Sequence, residues 1–526
     1  MVTGAEEAAD AARAAKAAEV AAAAEKAEAV AGCAERGKCT EVGHPVNVSN
    51  GMVFTQQTDF YLPGPLPLAW ERTGYSRSRR QGPLGHGWHH RYDMALLVEP
   101  DGRLALRLAD GRLALFEALQ SGGKSFNRRE QLEAEQTAPG RYRVWNLRER
   151  VWYVFAPHPA QTNQVLISVE DANGFALHLA YSEAGCLQAM RDSAGRCLNF
   201  IFDAQGRIES VTGPAPDHAD GRVGLARYGY DEVGNLTVAA DALGQAMHFR
   251  YANHLLVQET NRVGLNFYFT YDASDDTARC LRTWGDNGIY DNSLRYPTAD
   301  LTLVTDSVGG TTQYAHADGL ATLVVDPLGN VKQQAYNAYG ELELERDALG
   351  QTTIYDYDSR GNLLAVAYPD GNQIQTEHEN DLPVAATDAL GNQWQWAYDE
   401  VGNQIQRIEP TGLTTKLSYR NGLLCSISTG HGQPTVLHYD AQFNLEEVVQ
   451  GDGQRRSWQH DFMGRTTVLT DARGNSQRRS YDLLGQLRRV NEPDGNVRYL
   501  TYDGEGNVLR AQDNYQDVAL TYTGLD

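Results

Sequence analysis

One period governs this chain. Positions 336, 357, 378, 398, 419, 439, 460, 481 and 502 follow one another at steps of 20 or 21 residues, and each is tyrosine except His378 and His460. Where best formed, the motif reads Tyr-Asp-x-x-Gly-Asn, as in Tyr230-Asp231 with Gly234, Tyr357-Asp358 with Gly361, Tyr398-Asp399 with Gly402, and Tyr502-Asp503 with Gly506. Tyr481-Asp482 with Gly485 lacks only the final asparagine. A second turn, Asp-x-x-Gly, alternates with the first, beginning at Asp241, Asp306, Asp326, Asp347, Asp388 and Asp471. A fixed period of this length marks a repeat architecture. Two turns per period leave room for two strands of about seven residues, so the predicted unit is a β-hairpin.

The residue types explain the unit. Aspartate first and glycine fourth are the preferences of a type I turn, with the carboxylate accepting local backbone N–H groups. Glycine takes the positive φ that closes the hairpin with a bulge. The tyrosine ends a strand with its ring on one face. Burying that ring is worth about 1.5–3 kcal/mol, and its hydroxyl then needs a partner. One hairpin cannot bury its apolar face alone, so stacked neighbours must do so. Composition agrees: 51 Gly and 27 Tyr stand against 13 Phe and 6 Met, and 41% hydrophobic content suffices for a core.

The net charge of −22 repels phosphate backbones and argues against a nucleic-acid scaffold, while keeping a large β-protein in solution. Cys33, Cys39, Cys186, Cys197, Cys280 and Cys425 form no zinc-type ladder. Cys33 and Cys39 could close a small loop, and free thiols in a reducing cytoplasm are the alternative. The sequence writes no run of 18 apolar residues and no basic, leucine-rich secretory start. Residues 5–31 are an alanine run laced with Glu, Lys and Arg, predicted to be a helix that stops at Gly32. From Gly43 the texture becomes β, with turn signals at Asn50-Gly51, Asp101-Gly102 and Asp110-Gly111.

The Y-D-x-x-G-N motif at this period is similar to the Rhs/YD-repeat family. GHPVNVSNG, followed by DFYLPGPLPLAWERTGYS and GPLGHGW, resembles the domain that opens the Rhs core of bacterial polymorphic toxins. CLRTWGDNGIYDNSLRY, from Cys280 to Tyr296, resembles another segment of that core, and the resemblance covers residues 43–526. It implies an all-β fold: a spiral sheet forming a hollow cage or part of one, here with a short N-terminal α-helix. The expected organisation is a helical linker over 1–42, an N-terminal β domain over 43–165, and repeats over 166–526 that stop mid-repeat. The resemblance further implies a scaffold, not an enzyme, that encloses a C-terminal toxin domain in interbacterial competition. The toxin lies outside this chain. The implied partners are that toxin, a secretion-tip protein, a chaperone and, indirectly, an immunity protein. Export would run from the bacterial cytoplasm through a contact-dependent type VI machine, with no cofactor. The family's PAAR tip domain and aspartyl self-cleavage motif are not recognisable in the sequence.

Competing site readings are weak. Asp326-Pro327-Leu328-Gly329 matches the Asp-Pro-x-Gly of the family's cleavage motif, yet it sits on the repeat's own second-turn register and reads as a turn. His86, His89 and His90 could form a metal cluster, but adjacent strand residues face opposite ways, so packing is the better reading. No Gly-x-Ser-x-Gly, P-loop or HExxH occurs. The His44-Pro45 bond marks the helix-to-β boundary and is a candidate cleavage point, with an uncut linker as the alternative. A step of 20 from Tyr502 reaches Tyr522, so an open, incomplete shell is expected. The competing function class is a surface adhesion or carbohydrate-binding protein.

Overall fold

The computed structural model describes residues 40–119, 122–218, 221–430 and 432–522. The predicted N-terminal helix, Cys33 and Cys39 lie outside the described residues. Within them the chain is antiparallel β throughout, and its only helical element is the 3₁₀ turn Asp286–Gly288. From Lys124–Asn127 to Asp517–Ala519 each strand pairs with the next in sequence, making one long meander. The strand Gln164–Asp171 also pairs with Ala95–Val98, through Gln164 with Leu96 and Val165 with Ala95, and so closes the start of the sheet into a barrel.

The repeat also sets the sheet's curvature. A register shift precedes the motif tyrosine in hairpin after hairpin: between Asp356 and Tyr357, Ala397 and Tyr398, Ser480 and Tyr481, Thr501 and Tyr502. A bulge bends its strand and adds right-handed twist. Repeated at every period, that increment coils the sheet until it meets its own beginning. Hairpin turns fall alternately on two rims, and the Tyr-Asp turns of late strands seat on the opposite-rim turns of early ones. Arg128 donates to both Glu341 carboxylate oxygens at 3.1 and 2.7 Å. The Asn173 and Asn403 amides exchange hydrogen bonds of 3.2 and 2.8 Å. Arg196 Nη1 donates to the Met463 carbonyl at 2.9 Å, and Phe462 N to the Pro216 carbonyl at 3.1 Å. These contacts join residues 213 to 267 positions apart, which is the length of one coil.

The segment from Val46 to Asp93 folds against the inner face of the first coil. Trp70 Nε1 donates to the Tyr228 hydroxyl at 2.8 Å, Trp88 Nε1 to the Tyr251 hydroxyl at 3.0 Å, and Thr302 Oγ1 to the Val48 carbonyl at 2.6 Å. Trp70, Leu68, Leu84, Phe155, Phe249 and Leu166 are sealed in this core. Removing each such side chain from water contributes on the order of 1.5–3 kcal/mol. Filling then stops. Beyond Ala321, only Ala385, Met463 and Val490 among the described hydrophobic residues are buried. Among the described residues, nothing is packed on the inner face of the second coil.

Candidate functional site: the repeat turns and the seat of the N-terminal segment

The aspartate of each motif turn holds the turn from inside. Asp358 Oδ1 accepts the N–H of Arg360 at 2.8 Å and of Asn362 at 2.9 Å, while Oδ2 accepts the Asn362 side-chain amide at 2.9 Å. Gly361 sits at φ 86, where a side chain would be strained. Asp231, Asp399 and Asp503 make the same bonds to Asn235, Asn403 and Asn507, and Asp482 bonds the N–H of Gln486. Gly234, Gly402, Gly485 and Gly506 all take positive φ. Asp326 caps its own turn identically through Leu328 N and Asn330 N, which is the geometry of a structural turn. Degenerate copies use another device. At Asn253-His254, Asn380-Asp381 and Asn421-Gly422 both central residues are left-handed, the two-residue hairpin turn matched to strand twist.

The motif tyrosines form a ladder. Tyr502 donates to the carbonyl of Leu487 at 2.7 Å, and Leu487 is the residue paired with Tyr481. Tyr481 donates to Thr466 at 2.7 Å, which pairs with His460. Tyr357 donates to Leu342 at 3.0 Å, opposite Tyr336, and Tyr439 to Leu424 at 2.9 Å, opposite Tyr419. Tyr230 reaches Ile208, opposite Phe202, at 2.6 Å. Each ring therefore binds its hairpin to the previous one at the point where the bulge disturbs the backbone pairing. The sequence required a partner for the hydroxyl; this carbonyl is that partner.

The seat of the N-terminal segment is a second cluster that the sequence did not reveal. Arg72, fully buried, pairs with Asp59 at 3.0 Å and lies over the rings of Trp88 and Phe249. Tyr228 donates to Asp59 Oδ2 at 2.5 Å. Burial and the Asp59 carboxylate push the Tyr228 phenol well above its usual range, so it remains a donor. A buried ion pair of this kind is strongly destabilising to break on one side. The only signal was Arg72 sharing the alternation of Trp70 in AWERTGYS. His44, next to Pro45, stacks on Phe267 at 3.6 Å, with Nε2 at 3.4 Å from Glu259 Oε1. Glu259 and Thr283 are buried beside it, and Glu259 Oε2 and Thr283 Oγ1 have no hydrogen-bond partner.

The candidate histidines are separated by the fold. His90 stacks on Trp70 at 4.6 Å, His89 packs edge-on to Tyr75, and His86 stacks on His254 at 3.9 Å. No group of metal-ligating side chains is gathered among the described residues. Burial pushes His89 and His90 down to about 4. Burial would raise the neighbouring Asp93, but Arg80 and Arg107 outweigh it and hold the carboxyl below its usual range. No helix among the described residues is long and apolar enough to cross a membrane.

Comparison with known proteins supplies the relationship. The RHS repeat model matches residues 336–373 and 378–415, and a domain of unknown function (DUF6531) matches residues 43–116. The chain is 29% identical over 286 residues to double-stranded DNA deaminase toxin A of Burkholderia cenocepacia, covering 53% of this chain and 19% of that protein. It is 26% identical over 376 residues to toxin protein Tse5 of Pseudomonas aeruginosa, covering 62% of this chain and 28% of that one. The chain thus spans between a fifth and a third of the length of these relatives. Among solved structures, the crystal structure of TcdB2-TccC3-TEV aligns with 88% of this chain and 27% of its own, at 13% identity and a TM-score of 0.38. The RHS repeat model thus falls on the hairpins whose turns and tyrosine ladder are described above, and over residues 336–415 the chain is similar to the RHS-repeat family.

Proposed function

We propose that this chain is the wall of a hollow shell that packages a toxic polypeptide domain for delivery to a competing bacterium. The carrying observation is the contrast between the coils. The first is filled by the N-terminal segment, and the second winds onto it with an inner face that no described residue covers. A scaffold that must hold cargo needs one sealed end and an unoccupied lumen. The relatives bearing the name toxin support the reading, with the active domain and a type VI secretion route assigned to partners outside this chain. Small-angle scattering on the purified chain tests it: a pair-distance distribution skewed to long distances, as from a hollow bowl, is expected, and a solid-globule profile overturns it.

The His44-Pro45 bond is proposed as the point where a leading segment is released. The bond lies in the turn between the paired strands Glu41–Val42 and Val46–Asn47, not at the helix-to-β boundary expected from the sequence. Its position in a turn supports an accessible point there, with His44 stacked on Phe267 and 3.4 Å from Glu259. Release there would leave the core seated, because the Pro45 carbonyl accepts from Phe54 N at 3.3 Å. Intact-mass measurement reads it directly: a species beginning at Pro45 is expected, and a single uncut species ends the proposal.

A further inference from the structure

The inner face of the second coil has a chemistry of its own. Cross-strand partners share a face, as do residues two apart along a strand. Thr302 marks the inner face, since its hydroxyl bonds the Val48 carbonyl, and Thr302 pairs with Tyr314, which pairs with Val324, which pairs with Lys332. The same tracing runs on through Tyr355 with Val366, Trp396 with Arg407, Val448 with Arg456, Trp458 with Leu469, and Val490 with both Arg479 and Arg498. From Tyr355 to Val518 this central row is apolar or aromatic, with a few threonines and Gln477 between. Its charged members are Arg407, Arg456, Arg479 and Arg498, and no carboxylate interrupts it.

That is the reverse of the chain as a whole, where 68 acidic residues outnumber 46 basic ones. Two of the arginines are tied to carboxylates at the rim, Arg407 to Glu409 at 3.0 Å and Arg498 to Glu492. Arg479 bonds the Gln477 side chain at 2.6 Å, and Arg456 is exposed. Trp396 and Trp458 flank these guanidinium groups on the same face, and Trp394 lies beside Trp396. Guanidinium groups recognise carboxylates with bidentate geometry, and tryptophan supplies rigid apolar contact area.

We infer that the inner wall of the second coil is a binding surface for an acidic polypeptide segment, gripped by Arg456 and Arg479 with Trp396 and Trp458 beside them. The inference rests on the shell reading, because it takes this face to be the cargo-facing one. It adds what that reading leaves open, the charge of the segment the wall holds. Guanidinium groups along this wall attract acidic chains to it.

The test uses fluorescein-labelled poly-L-glutamate and the full chain, read by anisotropy at low ionic strength. Binding that R456E/R479E removes reports the inner wall, because both side chains lie on that face. Binding is expected, weakening by about tenfold or more in R456E/R479E and staying within about threefold in R456K/R479K. Circular dichroism and thermal melting check that both variants fold. Absence of polyglutamate binding, or equal binding by R456E/R479E, overturns the inference. A hollow scattering envelope with no polyglutamate binding removes this inference and leaves the shell standing; a solid envelope removes the shell reading itself.

Discussion

Two glycines ten residues apart isolate the contact between coils. Gly412 and Gly422 bracket the strand Thr414–Arg420, lie on opposite rims, and take φ values of 80 and 76. A side chain at either must adopt the left-handed region, at about 1–2 kcal/mol. Their surroundings differ. A Cβ on Gly412 meets nothing within 4 Å, whereas one on Gly422 falls 2.5 Å from Asn173 Cβ and 2.8 Å from Phe175 Cε2. Neither neighbour is the loose end of a long side chain, so the coils must part, adding about 1–3 kcal/mol of overpacking strain. Gly412→Ala is therefore expected to cost about 1–2 kcal/mol and Gly422→Ala about 2–5 kcal/mol. A chain of this size need not unfold in one step, so urea midpoints should be joined by hydrogen exchange at the turn from Asp171 to Phe175. Faster exchange there in Gly422→Ala alone is the expected signature. Equal destabilisation with unchanged exchange at that turn would refute the stacking of the second coil on the first.

Three further outcomes follow from the same geometry. Tyr481→Phe deletes the donor to the Thr466 carbonyl and should cost about 0.5–1.5 kcal/mol in chemical denaturation, with exchange quickening at residues 466–470. His89 and His90 are neutral in the fold, their folded values lowered from the ordinary 6.5 to about 4, so their contribution is intact above pH 6.5 and is lost progressively as pH falls toward 4. Melting followed from pH 8 to pH 4 should show that loss, and His90→Gln should flatten it unless the variant fails to fold, in which case His89→Gln serves. Leu328 and Leu390, on the rim no coil covers, are 88% and 87% exposed; converting both to lysine should leave stability within about 0.5 kcal/mol while reducing self-association in sedimentation velocity.

The hairpin was legible because everything that makes it is local. Asp358, Gly361 and Asn362 lie within five residues, and their bonds are those the residue types favour wherever they occur. The ladder was half legible: a buried phenol needs an acceptor, but the acceptor lies 15 residues back and is known only once the bulge fixes the register. The coil contacts were not legible. Arg128 meets Glu341 across 213 residues because many small increments of twist accumulate, and no single residue encodes the sum. The N-terminal segment read correctly as strands, yet its place inside the sheet depends on Asp59, Arg72 and Glu259 finding partners between 13 and 215 positions away. Charged residues are rarely buried unless paired, and the pairing partners of these lie far off in sequence.

The central claim is that one sheet winds round and seats on its own beginning. Arg128 and Glu341 meet at 2.7 Å where the coils touch, so Arg128→Lys places an amine within reach of that carboxylate. Zero-length carbodiimide coupling of this variant, followed by peptide mapping at dilutions where only intramolecular products form, reads the winding directly. The account predicts a cross-linked pair joining residue 128 to Glu341. A residue 128 amine that couples only to carboxylates of its own hairpin neighbours, such as Glu130 or Glu133, would contradict it.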